Sequence, residues 1–338
     1  MNLFVLYLFV CVLAAGLVTL FVPVLKKSTG KFLVDVPAGP LKKHAKPTSI
    51  VGGCAIFLST LISLTVIRLI TAFPTGTLHN LRGIFIGGTL IFVMGLVDDL
   101  RKPKGIPYPV KLAVEALAAG ALVYYGITLE FLPGWLGNTL AFLWLVGLTN
   151  AFNLLDIQDG LCVSQCVICT LGLSLISLPS EFIYVNFAAL ALLGACLAFW
   201  PHNHSHAKVF LGDSGALFLG FMIAALSMGT GYSGRVSCGF LAPLFILAVP
   251  LFDTCFVMLA RLLKGQNPLK GSNDHIALRL LKRGYSKHAV LGLFTVAGLI
   301  CNTLAFWLTY ASWRTAALLL AAVAVAGLVL TRRLLSYD

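Results

Sequence analysis

The stretch WLGNTLAFLWLVGLTNAFNLLDIQDG, residues 135–160, is apolar for the length of a membrane crossing and then ends in amides and acids. Trp135 to Leu155 supplies about the 20 residues a helix needs to span a hydrocarbon core of about 30 Å. Asn150, Asn153 and Asp156 recur at three-residue spacing, so on a helix they share a face, and Asp159 with Gly160 continues into a turn. Hard oxygen groups on one face suit magnesium, which takes one or two carboxylates together with substrate phosphates. The same residues could also serve as a helix stop and Asx-turn.

Ten further apolar runs flank this one: Phe4 to Leu25, Ile50 to Ala72, Ile84 to Val97, Val110 to Ile127, Leu161 to Leu178, Phe182 to Trp200, Ala216 to Met228, Phe240 to Leu263, Ala289 to Tyr310 and Ala316 to Thr331. With 59% hydrophobic and 11% charged residues and a mean hydropathy of +0.95, the 338-residue chain is no soluble enzyme. The pattern predicts an all-α, polytopic integral membrane protein of about eleven transmembrane helices, one domain over residues 1–338, with its chemistry in short loops and helix ends. The first run reads as a true span, because Met1 to Phe4 lacks a basic n-region and lysines crowd the loop that follows. The nine cysteines fall almost entirely inside apolar runs, without zinc-ligand or disulfide spacing, and read as small packing residues.

Lysine and arginine set the orientation, since cytoplasmic loops carry the excess. Segments after odd-numbered spans hold 20 of the 24 basic residues, leaving only Arg68, Arg82, Arg235 and Arg314 for the other face. The N-terminus is therefore expected outside and the C-terminus inside, in the inner (plasma) membrane. A net charge of +12 spread over short loops, with no nucleic-acid module, points to anionic headgroups and phosphorylated substrates and away from nucleic acid. Of the twelve acids, only Glu130 and Glu181 do not belong to the same inner side or to helices leading into it. Positive-inside logic does not account for that second enrichment.

Asp98-Asp99 closes the third run, and two adjacent carboxylates beside hydrocarbon repel unless a cation or donors relieve them. Taken alone, the pair could be a solvated helix end facing Arg101 and Lys102. Asp213, in Phe210-Leu211-Gly212-Asp213-Ser214-Gly215, enters the eighth run, where a glycine-flanked helix start with Lys208 nearby could bind an anion or simply be capped. His202, His204 and His206 alternate before Lys208, weakly suggesting phosphate or headgroup contact. The last inner loop, Gly265 to His288, carries Asp274, His275, Arg279, Lys282 and Arg283 as a basic amphipathic segment. Metal, phosphate and lipid features together converge on phosphoryl transfer at the inner membrane face.

The ordered motifs resemble the polyprenyl-phosphate N-acetylhexosamine-1-phosphate transferases, relatives of the phospho-N-acetylmuramoyl-pentapeptide transferases. The resemblance runs from about Asp35 to Arg279. It rests on Asp35-Val36-Pro37, Lys43-His44, Pro47-Thr48, Gly52-Gly53, Asp98-Asp99 with Lys111, Asn150, Asn153, Asp156, Asp159-Gly160, Asn203, Ala207-Lys208, the Gly212-Asp213 segment, Asp253-Thr254 and His275. It implies ten or eleven helices, a cytoplasmic active site and a prenyl groove beside a ninth helix broken here by Pro243 and Pro250. It also implies attack of a polyprenyl phosphate on the sugar-proximal phosphorus of a UDP-sugar, first of all UDP-N-acetylglucosamine, giving UMP. Carried over residue by residue, Asp213 with Asp156 or Asn153 would hold Mg2+ (or Mn2+), and Asp98 and Asp99 would orient or deprotonate the lipid phosphate. Lys111 and Lys208 would neutralise phosphates, and Asn150, Asp159, Asn203, Lys43, His44, His275 and Arg279 would contact substrate or support those that do. A homodimer is an allowed assembly.

The chain departs from the family pattern at Ile157, at Ala216 and in a first loop about one residue longer between Pro37 and His44. The largest departure is the last inner loop, where a multi-histidine tract is reduced to His275-Ile276-Ala277-Leu278-Arg279. Alternatives open at this stage are the same reaction with another N-acetylhexosamine or muramoyl-pentapeptide donor, and, outside enzymes, a secondary transporter. The latter would place its acids near the midplane and often show internal repeats.

Overall fold

Long apolar segments satisfy their backbone groups internally only as helices, and the chain is built accordingly. The computed structural model describes residues 2–29, 32–35, 47–71, 75–129, 132–178, 183–204, 206–230, 232, 237–268 and 272–336. The helices are α1 (Leu3–Thr29), α2 (Gly52–Ile70), α3 (Thr75–Leu100), α4 (Tyr108–Tyr124), α5 (Gly134–Leu155), α6 (Leu161–Ser177) and α7 (Ile183–Asn203). They continue with α8 (Gly212–Gly229), α9 (Ala242–Ile246), α10 (Ala248–Leu263), α11 (Ile276–Lys282), α12 (Lys287–Leu308) and α13 (Trp313–Leu335). A two-stranded antiparallel ribbon, β1 (Val34–Asp35) with β2 (Thr48–Ser49), follows α1.

Each apolar run of the sequence coincides with a helix or, for the ninth, with a bent pair. Among the described residues eight helices are long and apolar enough to cross a membrane, or nine if the bent pair α9–α10 counts as one span. The helices α4 and α6 have 17 residues each, about 25 Å of rise, and fall short of that length. The ninth run bends by 68° between α9 and α10. Pro250, lacking an N–H, cannot donate to the Ile246 carbonyl four residues back. That carbonyl instead accepts the Cys169 thiol at 3.3 Å, which gives one of the packing cysteines a specific task.

Helix α8 is apolar and buried nearly all round, as a central helix must be. It packs against α2, α3, α5 and α6, while α1 packs on α7 and α2. By contrast α13 leans on α10 and α12 along one side and leaves Leu318, Val325 and Leu328 exposed, a face suited to lipid. The first turn of α8 is gripped from two sides. A Cβ on Gly95 of α3 would stand 2.5 Å from the Ser214 Cα, and one on Gly53 of α2 would strike the Gly215 backbone. Only glycine permits these approaches. The entry to α8 is also laced to β2 and the start of α2: Phe210 N–H donates to Ser49 O at 2.8 Å, Gly52 N–H to Phe210 O at 3.1 Å and Gly53 N–H to Leu211 O at 2.8 Å. The chain then turns through Gly212 at φ +77°.

Candidate active site

Four helix ends meet where α8 begins. The C-terminal end of α3 brings Asp98 and Asp99, the following turn Lys102, the first turn of α4 Lys111, the C-terminal end of α5 Asp156, and the start of α8 Asp213.

The two adjacent aspartates part company. Asp99 is wholly buried, and both its oxygens are filled. Oδ1 accepts Lys102 Nζ at 2.8 Å and the Asp213 N–H at 3.0 Å; Oδ2 accepts the Ser214 N–H at 3.0 Å and Ser214 Oγ at 2.8 Å. It therefore caps α8 from another helix, satisfying amides that the helix start leaves unpaired. Asp98 accepts the Ile106 N–H at Oδ1 and Lys111 Nζ, at 2.5 Å, at Oδ2. Asp213 is a quarter exposed and has the looser ion pairs, 3.5 Å to Lys102 and 3.8 Å to Lys111. Against the lowering that burial brings, the carboxylates of Asp213 and Asp99 hold the Lys102 ammonium above the ordinary lysine range, and Asp35 of β1 adds to this.

Asp156 and Asn153 behave differently, for neither side chain has a hydrogen-bond partner among the described residues. Burial, then the neighbouring Asp213 carboxylate, pushes the Asp156 carboxyl up to about 7. A half-buried carboxyl without a hydrogen-bond donor among the described residues, near the Asp213, Asp99 and Asp159 carboxylates and the Lys102 ammonium, is an environment that could hold a divalent cation. Among the described residues no three His, Cys, Asp or Glu side chains form a complete metal cage.

The remaining sequence-predicted residues are scattered. Asn150 donates to Glu115 Oε2 at 2.6 Å and to the Val146 carbonyl at 2.9 Å. Asn203 is spent internally, its Oδ1 accepting the Gly160 N–H at 3.0 Å and its Nδ2 donating to Val209 O at 3.1 Å. This tie holds the left-handed turn at Gly160, φ +78°, beside the loop that leads to α8. Asp159 pairs with Lys287 at 3.3 Å and lines a small cleft with Gln158, His204, His288 and Leu291. Lys208 is exposed, and its ammonium has no partner among the described residues. Lys43 and His44 lie outside the described residues.

His275 and Arg279 do not stand open as substrate contacts. His275 Nδ1 lies 2.7 Å from Asp253 Oδ2, and the other oxygen of Asp253 accepts the Ile276 N–H at 2.9 Å. Arg279 reaches Asp274 at 2.9 Å and the Leu334 carbonyl of α13 at 3.0 Å, with its guanidinium 5.1 Å from the Phe256 ring centre. Both are buried, so the structure casts them as fasteners of α11 to α10 and α13. Sequence reasoning, for its part, left Lys102, Ser214 and Glu115 out of the site. The available signals were spacing alone: Lys102 three residues after Asp99, and Glu115 four after Lys111.

Comparison with known proteins adds an independent line. Residues 81–231 match the model of glycosyl transferase family 4, a segment that contains every described group of the four-helix cluster. A Bacillus subtilis relative named "Probable undecaprenyl-phosphate N-acetylglucosaminyl 1-phosphate transferase" is 29% identical over 310 residues, covering 86% of this chain and 84% of its own. A decaprenyl-phosphate N-acetylglucosaminephosphotransferase of Mycobacterium tuberculosis is 28% identical over 318 residues, covering 84% and 78%. A phospho-N-acetylmuramoyl-pentapeptide-transferase of Streptococcus agalactiae is 29% identical over 255 residues, covering 70% and 72%.

Proposed function

Since the chain belongs to glycosyl transferase family 4, we propose that it transfers a sugar-1-phosphate from a UDP-sugar to a polyprenyl phosphate, releasing UMP. N-acetylglucosamine-1-phosphate is the group we assign, because the relatives from Bacillus and Mycobacterium that cover most of the chain carry that sugar in their names. The observation that carries the reading is the convergence of Asp98, Lys102, Lys111, Asp156 and Asp213 at the ends of α3, α4, α5 and α8.

One phosphoanhydride is exchanged for another: a lipid-phosphate oxygen bonds to the sugar-proximal phosphorus as the bond to the UMP oxygen breaks. A phosphate monoester has a second pKa of about 6, so at neutral pH the nucleophile is already mostly dianionic and needs positioning more than deprotonation. Asp98, held by Lys111 and the Ile106 amide, is the carboxylate we assign to orienting that phosphate through Lys111. Asp99, with no lone pair to spare, positions the Asp213 backbone instead. Asp213, Asp156 and Asn153 would hold Mg2+, or Mn2+ in its place; bound there, the cation would offset diphosphate charge and favour loss of UMP. Lys102 and Lys111 are the ammoniums beside the reacting phosphates, and exposed Lys208 offers another to an incoming anion.

The 20 to 4 basic asymmetry supports an external N-terminus, a cytoplasmic C-terminus and a site at the cytoplasmic face of the plasma membrane. The direct test is purified protein with polyprenyl phosphate and a panel of UDP-sugars, following UMP release and label transfer into lipid. UDP-N-acetylglucosamine should serve best. Use of the muramoyl-pentapeptide donor alone would overturn the sugar assignment, and silence with every donor would overturn the reaction.

A further inference from the structure

Glu115 is a buried carboxylate on α4 that the mechanism above does not use. It sits one helical turn beyond Lys111, which it feels electrostatically, and its Oε2 receives the Asn150 amide of α5 at 2.6 Å. The same Asn150 nitrogen lies 2.9 Å from the Val146 carbonyl. A backbone carbonyl only accepts, so Val146 requires the NH2 end of the amide, and the Glu115 oxygen then faces the second N–H of the same nitrogen. With both N–H groups spent, the Oδ1 of Asn150 is its one polar atom without a partner among the described residues. Asn150 stands one turn before Asn153 and two before Asp156, on the helix face that runs to the carboxylate cluster.

Resting on the transferase reading, we infer that Glu115 is a positioning residue that locks the Asn150 amide, so that Asn150 meets the sugar-nucleotide only as a hydrogen-bond acceptor. Its Oδ1 takes an N–H or O–H of the donor substrate. It does not offer an N–H to a phosphate, the role most often given to an asparagine near anions. A group preset in this way needs no reorientation when the donor arrives, and that saving appears in donor binding.

The test compares Glu115→Gln, Glu115→Met, Asn150→Ala and the double variant Glu115→Met/Asn150→Ala as full-length purified protein. UMP release is measured against UDP-N-acetylglucosamine and polyprenyl phosphate in turn. Gln retains an acceptor for the amide, so Glu115→Gln should stay within about 3-fold of wild type. Met fills the volume without accepting, so KM for the UDP-sugar should rise about 10-fold, the loss of one hydrogen bond, with KM for the lipid unchanged. The double variant should be no worse than Asn150→Ala, because the two residues act as one unit. Equal losses in Gln and Met, additive losses in the double variant, or a rise confined to the lipid KM would overturn the inference while leaving the transferase reading intact. Should Glu115→Met not yield folded protein, the Gln variant and Asn150→Ala decide. Gln must keep the wild-type donor KM while Asn150→Ala raises it, and any other pair of results overturns the inference. Wild-type protein that releases no UMP would instead overturn the transferase reading on which it rests.

Discussion

Replacing Asp99 by asparagine keeps the volume and removes one acceptor from a group that uses both of its oxygens. Two donors meet each oxygen: Lys102 and the Asp213 amide on one, the Ser214 amide and hydroxyl on the other. An asparagine must turn its NH2 toward one of these pairs. Facing Lys102 and Asp213 it would oppose a cation and an amide. Facing Ser214 it would strand one amide, since the serine hydroxyl can rotate and accept. The cheaper orientation thus leaves one buried donor unpaired, about 1–3 kcal/mol, and removes an anion from a helix N-terminus, about 0.3–1 kcal/mol at exposed sites and up to about 2 when partly buried. Together these come to about 1–5 kcal/mol, centred on about 3, within a typical stability of about 5–15 kcal/mol, so the variant should fold. The loss falls on the turn that carries Asp213, and at about 1.4 kcal/mol per decade it should lower turnover by roughly 10²-fold. The assay is UMP release with apparent Tm in detergent, both across pH. Turnover and Tm should fall together, with the shape of the pH profile unchanged. A wild-type Tm with a displaced basic or acidic limb would show that Asp99 handles a proton, and wild-type values of both would refute its capping role.

Asp213→Asn should reduce Mg2+- or Mn2+-dependent turnover by about 10²-fold or more, and near-wild-type rates at limiting Mg2+ would remove Asp213 from the cation site. Asp156 carries a proton below about 7 that a cation must displace, so the half-saturating Mg2+ concentration should rise as pH falls through that value and level off above it; titrations on either side that superimpose would contradict this. Arg279→Ala should lower Tm by loosening α11 from α13, worth about 1.5–3 kcal/mol for charged hydrogen bonds, while KM for the UDP-sugar stays put. The reverse outcome, a raised KM at unchanged Tm, would return Arg279 to the substrate site.

Local pattern carried the sequence reading as far as local pattern reaches. Apolar runs mark every long helix, and the acids at their ends mark the region where four helices converge. Two prolines in the ninth run mark a break, though not its 68° angle. Spacing does not separate Asp98 from Asp99. Their different duties arise only when α8 docks against α3 and offers its amides to one of them. For His275 and Arg279 the resemblance implied substrate contact or support, and spacing could not show which, because their partners are remote, Asp253 lying 22 residues away and Leu334 lying 55. Glu115 escaped notice for the same reason, since its significance depends on an amide 35 residues further along the chain.

The capping of α8 by Asp99 reaches beyond geometry. A free helix N-terminus would have drawn a phosphate to the site by its own dipole, but here that positive end is already answered by a carboxylate from within the protein. Around it four carboxylates, Asp98, Asp99, Asp156 and Asp213, outnumber the two ammoniums of Lys102 and Lys111. Fully ionised, the cluster is short of two positive charges, which one divalent cation would supply. On the proposed reading, a pocket with that balance would repel a lone diphosphate and accept one escorted by its cation, so that nucleotide entry and metal entry would be a single event.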